Sequence, residues 1–238
     1  MNDNTQSQNM GGSSSPENVP PVKNWTAQER WVGIFKSPSA AMTSIAEKPN
    51  YAEPAFAVLL QVILTAIALG MAMTKIHYTG PYAARLESMV TSMIVGTMIL
   101  AGFLMFLFWA IRAGLILILC RGDSDWQFKS AAAVTGYALV PTLLISIVTM
   151  VIVAIVLPSI TLDTSNLEAA QQAMATFSQQ TADLKYAITV PFTIGGIVWQ
   201  AFLGAFGVRA GTTGQRSFAV GFVVFFLVGL IDLLLMFL

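Results

Sequence analysis

The chain has 238 residues, 55% of them hydrophobic and only 10% charged, where an ordinary soluble domain carries roughly 25% charged residues; this is a composition for lipid. Twelve basic and twelve acidic residues cancel, so no charge bias points to nucleic acid or an acidic substrate, and nucleic-acid binding is not expected. Cys120 is the single cysteine and His77 the single histidine, which excludes intrachain disulfides, thiolate zinc sites, Cys–His nucleophile pairs and clustered-histidine metal sites; no metal or other cofactor is expected.

Residues 1–24 are rich in Asn, Gln, Ser, Gly and Pro. They cannot bury enough apolar area to offset the entropy of ordering, and a disordered polar tail is expected. No apolar run here is long enough for a signal-peptide core, so the first membrane segment is expected to act as the targeting signal. Residues 25–54 form a separate pre-membrane segment. Thr26-Ala-Gln-Glu29 reads as a capping box, in which threonine and glutamate side chains satisfy each other's orphan N–H groups as a helix begins. Trp31, Ile34 and Phe35 fall on one face of that helix, and Ser37-Pro38 opens a second turn carrying Met42 and Ile45. The segment is expected to lie amphipathically on the cytoplasmic leaflet, with Trp31, Ile34 and Phe35 at the membrane surface. The alternative is that the same side chains pack against the loops.

Residues 55–238 make the membrane domain. A spanning helix needs about 20 apolar residues to cross a hydrocarbon core of about 30 Å. Five stretches qualify: 55–74, 91–120, 131–157, 188–208 and 218–238. The fold class is therefore all-α, a bundle of about five transmembrane helices preceded by an amphipathic helix. With the N-terminus cytoplasmic, nine Lys and Arg residues (23, 30, 36, 48, 112, 121, 129, 209 and 216) fall on that side, against Lys75, Arg85 and Lys185 on the other. The bias sets the orientation, with the C-terminus outside.

Between the third and fourth spans, Ser165-Asn-Leu-Glu168 starts another helix, with Leu167, Ala170, Met174, Phe177, Thr181 and Leu184 at spacings of three and four. A surface helix docked on the bundle is expected, with a dimer contact as the alternative. Tyr78, Tyr82, Trp126 and Tyr186 lie near span ends and read as interfacial anchors.

Ionisable groups within membrane segments are costly and are candidates for function. Arg112 and Asp232 are the two here. Arg112 can snorkel to the interface, Asp232 can reach the outer surface near the chain end, or the two can pair. Gly136-Tyr137-Ala-Leu-Val-Pro141 is the most distinctive stretch inside a span. Pro141 cannot donate to the carbonyl of Tyr137, so a kink is expected there. Small residues recur at helix-packing spacing at Ala66 and Gly70, Ala201 and Ala205, and Gly207 and Gly211. No nucleophile-elbow, metalloprotease, P-loop or dinucleotide motif is present.

Over about residues 30–238 the chain resembles the YIP family, the Ypt/Rab-interacting proteins, and most of all its prokaryotic branch. The resemblance rests on Ile34-Phe35-Lys-Ser-Pro38, on Glu53-Pro54-Ala-Phe at the first span, and on Phe128-Lys-Ser-Ala-Ala-Ala-Val-Thr-Gly136-Tyr137-Ala-Leu-Val-Pro141 at the third. It implies a five-span bundle with a cytoplasmic N-terminus. For eukaryotic relatives it implies binding of Rab-type GTPases. The Asp-Leu-Tyr-Gly-Pro type motif of those relatives does not occur here, so GTPase binding is not carried over.

The expected role is a non-enzymatic scaffold or adaptor in a bacterial cytoplasmic (inner) membrane, whose partners are membrane lipids and other membrane proteins or a second copy of the chain. The alternative is a small transporter or channel subunit using Asp232, Arg112 and the Pro141 kink.

Overall fold

A computed structural model describes residues 25–120, 126–212 and 218–235. The expected disordered tail, residues 1–24, lies outside the described residues. Two short helices come first, α1 (Ala27–Lys36) and α2 (Pro38–Glu47). The capping box forms as read: the Glu29 amide donates to Thr26 Oγ1 at 3.3 Å, and the Thr26 amide donates to Glu29 Oε2 at 2.8 Å. α2 opens on Pro38, whose missing N–H costs nothing in a first turn.

The membrane helices follow: α3 (Ala52–Met73), α4 (Ala83–Leu119), α5 (Phe128–Ala138) with α6 (Val140–Val156), α8 (Val190–Gly211) and α9 (Phe218–Leu235). α7 (Leu167–Leu184) precedes α8. Among the described residues four helices are long and apolar enough to cross a bilayer, Ala52–Met73, Ala83–Leu119, Phe128–Val156 and Glu168–Gly211, and the apolar stretch of α9 is shorter. The chain is an all-α integral membrane bundle.

The third span breaks where Pro141 requires it. Leu139 separates α5 from α6, its amide reaches back only three residues to Gly136 O, and Thr142 takes up the Leu139 carbonyl through both its amide and its hydroxyl. Proline cannot donate to the Tyr137 carbonyl, so the ordinary ladder is interrupted at this point.

The secondary structure departs from the sequence reading in two places. Segments read as loops form a small parallel sheet, β1 (Ile76–Thr79) with β2 (Ile160–Asp163), in the register Ile76 to Ile160 through Thr79 to Asp163. In addition, α7 does not dock on the bundle as a separate surface helix. It packs against β2 and runs through a π-helical turn, Lys185–Thr189, directly into α8. Pro191 sits in the first turn of α8 without an amide to donate, and the wide turn before it absorbs the mismatch without ending the helix. The 44 residues of Glu168–Gly211 extend about 66 Å at roughly 1.5 Å per residue, far more than a span needs.

The bundle thus has a hairpin side, carrying α1 and α2, and a strand side. Its core lies toward the hairpin side: Ile34, Met42, Ile45, Val134, Tyr137, Val208 and Phe225 are buried together. α8 is the hub, packing against α2, α5, α6 and α9. Its small residues make this possible. A Cβ on Gly204 would stand 2.2 Å from the Phe225 ring, and one on Gly207 would stand 2.4 Å from Val134. Trp126, read as an interfacial anchor, is instead buried with its ring over Gly211.

Candidate functional site

The hairpin is packed against the bundle. Ile34, expected at the membrane surface, is wholly buried, as are Ala41, Met42 and Ile45 of α2. α2 packs against α8 and α5, and α1 against α2, so protein covers Ile34 of the face that reads as lipid-seeking. Trp31 is partly buried, edge-on to Phe56 of α3 at 6.1 Å and to Tyr137 of α5 at 6.2 Å. Phe35 is the exposed member of the trio and lies 6.4 Å from Trp199.

What fixes the hairpin is a polar node at its root. Glu53 is the second residue of α3, Arg30 lies on α1, and Tyr137 is near the end of α5. Arg30 Nη1 donates to Glu53 Oε2 at 3.3 Å, and the two side chains are 7% and 18% exposed. The Tyr137 hydroxyl donates to the same oxygen. Asn50 Nδ2 donates to Glu53 Oε1 at 3.3 Å. The second guanidinium nitrogen, Arg30 Nη2, reaches the Ser44 carbonyl on α2 at 3.5 Å. One carboxylate therefore joins α1, α3 and α5, and one guanidinium adds α2.

The backbones at the node are held together by a missing side chain. A Cβ on Gly136 would lie 2.2 Å from Pro54 Cβ and 3.0 Å from Pro54 Cα. α5 and α3 touch at that point, which brings the Tyr137 ring level with Glu53. The Trp109 indole of α4 donates to the Ala132 carbonyl at 3.1 Å, anchoring the other flank of α5. Around the hairpin's outer face, Trp25 with Gln28, Val32 and Lys36 borders a groove of 310 Å³.

The node binds protein to protein, since every Glu53 oxygen is taken up by donors of this chain. Among the described residues no group of three His, Cys, Asp or Glu side chains could hold a metal ion.

Of the residues singled out in the sequence, Gly136 and Tyr137 come together with Glu53-Pro54, while Pro141 sits one turn further on at the break in the span. Arg112 is buried on α4 beside Ala113 and Ile116, so it does not snorkel through lipid. α4 and α9 are neighbours, but the Asp232 side chain lies outside the described residues, and its pairing with Arg112 falls there too. Arg30 and Glu53 are the functional candidates that sequence reasoning missed: Arg30 was only a charge in a topology count, and Glu53 only part of a short motif. The available signal was an acidic residue directly before a proline at the mouth of an apolar span, where a bare carboxylate would be expensive.

The family model described as the Yip1 domain matches residues 32–237. No curated protein and no solved structure matches the chain.

Proposed function

The chain belongs to the Yip1 domain family of integral membrane proteins, and on that footing we propose that it works as a non-enzymatic scaffold or adaptor, presenting its hairpin to partner proteins and lipids at the membrane face. The observation that carries this reading is the node. A charged pair buried between α1 and α3, with a tyrosine from α5, holds a two-helix platform in one position. Rigid presentation lowers the ordering cost of binding a partner. The Lys and Arg bias of the sequence between the spans supports a cytoplasmic N-terminus, and we place the protein in a bacterial inner membrane as part of the same proposal. On the platform, the groove bounded by Trp25, Gln28, Val32 and Lys36 is the surface a partner would meet. GTPases are not proposed as that partner.

The transporter or channel alternative has less behind it. It calls for a hydrated cavity reaching Asp232, Arg112 and the Pro141 break; the cavity of 450 Å³ that touches Pro141 is lined by apolar side chains such as Phe35, Leu144 and Trp199, and the Asp232 side chain lies outside the described residues.

The test is recovery of the full-length protein in native lipid particles, with bound proteins and lipids identified by mass spectrometry, for wild type and Val32→Glu. Val32 is 44% exposed, so the substitution alters the groove and spares the core. A partner recovered with wild type and depleted about tenfold by Val32→Glu, equivalent to about 1.4 kcal/mol, supports the platform. A wild-type protein that recovers no reproducible partner sinks it.

A further inference from the structure

The strand-side half of the bundle is loosely packed, and it contains a cavity of 380 Å³ with α6 as its floor between α3 and the π-helical turn leading into α8. Leu64 and Ala68 of α3, Ile145 and Met150 of α6, and Thr189 of the turn line it, and Lys75 stands at the strand-side rim. We propose that this cavity is a phospholipid site, taking one acyl chain along its length and an anionic headgroup phosphate on Lys75.

Length, lining and charge each favour that occupant. From Leu64 to Lys75 the chain rises about 16 Å at roughly 1.5 Å per residue, about half of a hydrocarbon core roughly 30 Å thick. The cavity is as deep as one leaflet and carries its cation at the headgroup end. Its volume falls within the roughly 300–1,000 Å³ of ligand sites. An unfilled void would forfeit dispersion contacts along its whole lining, and lipid chains are the filler at hand.

The hydroxyls on the wall are compatible with a chain. Thr65 and Thr193 donate to the Gln61 and Thr189 carbonyls at 2.9 and 2.8 Å, which satisfies both hydroxyls within their own helices. Thr149 Oγ1 is buried with no partner, and rotation to the carbonyl four residues earlier, the usual resort of threonine in an apolar helix, satisfies it when the chain enters. Lys75 is half-buried and has no ion-paired partner among the described residues. A lysine so placed at a membrane interface is matched by a phosphate. The wall also includes the π-helical turn, a departure from regular helix that recurs at functional sites.

The experiment uses the full-length protein equilibrated with vesicles of equal phosphatidylglycerol and phosphatidylethanolamine, then native mass spectrometry of the lipid retained. Wild type is expected to hold one phosphatidylglycerol in preference to phosphatidylethanolamine by about fivefold, the effect of one lysine near an anionic lipid. Lys75→Gln removes the preference and Lys75→Arg keeps it. Ala68→Phe, which fills the cavity, removes retention of both lipids. The Lys75 pair lies outside the packed core and decides the question even where Ala68→Phe does not fold. Equal retention of the two lipids by wild type, no retained lipid, or a preference unchanged in Lys75→Gln overturns the proposal.

Discussion

Glu53 accepts from Arg30, Tyr137 and Asn50 at once, and this explains how a carboxylate and a guanidinium persist at the edge of an apolar bundle. A buried charge is tolerated when its partners are fixed, and losing one partner costs about 3–5 kcal/mol because the other is left stranded. Arg30 Nε already lacks a partner among the described residues, so Arg30 has little to fall back on. Tyr137→Phe removes one donor to a charged acceptor and is expected to lower stability by about 1.5–3 kcal/mol, read as a lowered midpoint in detergent unfolding. At Gly136 the limit is steric. Gly136→Ala drives a Cβ into Pro54 and is expected to cost about 1–3 kcal/mol, whereas Gly70→Ala, with nothing within 4 Å, is expected to be near neutral. On the strand side, the Ser165 hydroxyl and amide donate to Asp163 at 2.7 and 2.9 Å and hold its carboxyl below the usual carboxylate range. A carboxyl with a lowered folded pKa binds fewer protons folded than unfolded, so its contribution is present above the ordinary carboxylate pKa and fades as pH falls through the folded value. Amide exchange at Thr164, bonded to the Thr79 carbonyl, is expected to lose protection in that acidic window in wild type and to lose that pH response in Asp163→Asn.

Helices α1 and α2 look amphipathic because they are, but a hydrophobic face says only that it must be covered. Here α5 and α8 cover that of α2, and a sequence pattern cannot distinguish a lipid surface from a protein one. What could be read locally was read: the capping box depends on residues three apart, and the break near Pro141 on a missing amide. The spans were legible because length and apolarity are properties of single segments, although α4 begins at Ala83 where position 91 was expected. The strands were not legible. Each is four residues long, and a parallel pair between distant segments leaves no periodicity to detect. The continuous passage of α7 into α8 was hidden by Pro191, ordinarily a stop signal, which the π-helical turn accommodates. Gly80 follows β1 at φ 90°, and a Cβ there would stand 2.6 Å from Thr164 Oγ1, so the end of the sheet depends on a glycine as well.

The molecule is packed unevenly along the membrane normal. Toward the hairpin, helices meet through glycine and alanine and bury Ile34, Tyr137 and Phe225 completely or nearly so. Toward the strands, α4 presents exposed apolar surface, with Met89 and Met93 54% and 65% exposed, as suits side chains facing lipid. A hairpin tied to the bundle at one face and a more open half at the other are the arrangement behind the scaffold role proposed above. The division was not legible in composition, since both halves are equally apolar and differ in which small residues meet a large neighbour. The most direct test is amide hydrogen exchange across the whole chain, in lipid particles, for wild type and Glu53→Gln, which removes the node's charge and little of its shape. If the node holds the platform, α1 and α2 exchange at least about tenfold faster in the variant, the mark of about 1.4 kcal/mol lost, while α8 and α9 keep their protection. If α1 and α2 stay as protected as in wild type, the hairpin is held by its apolar contacts alone and the node is not its clamp.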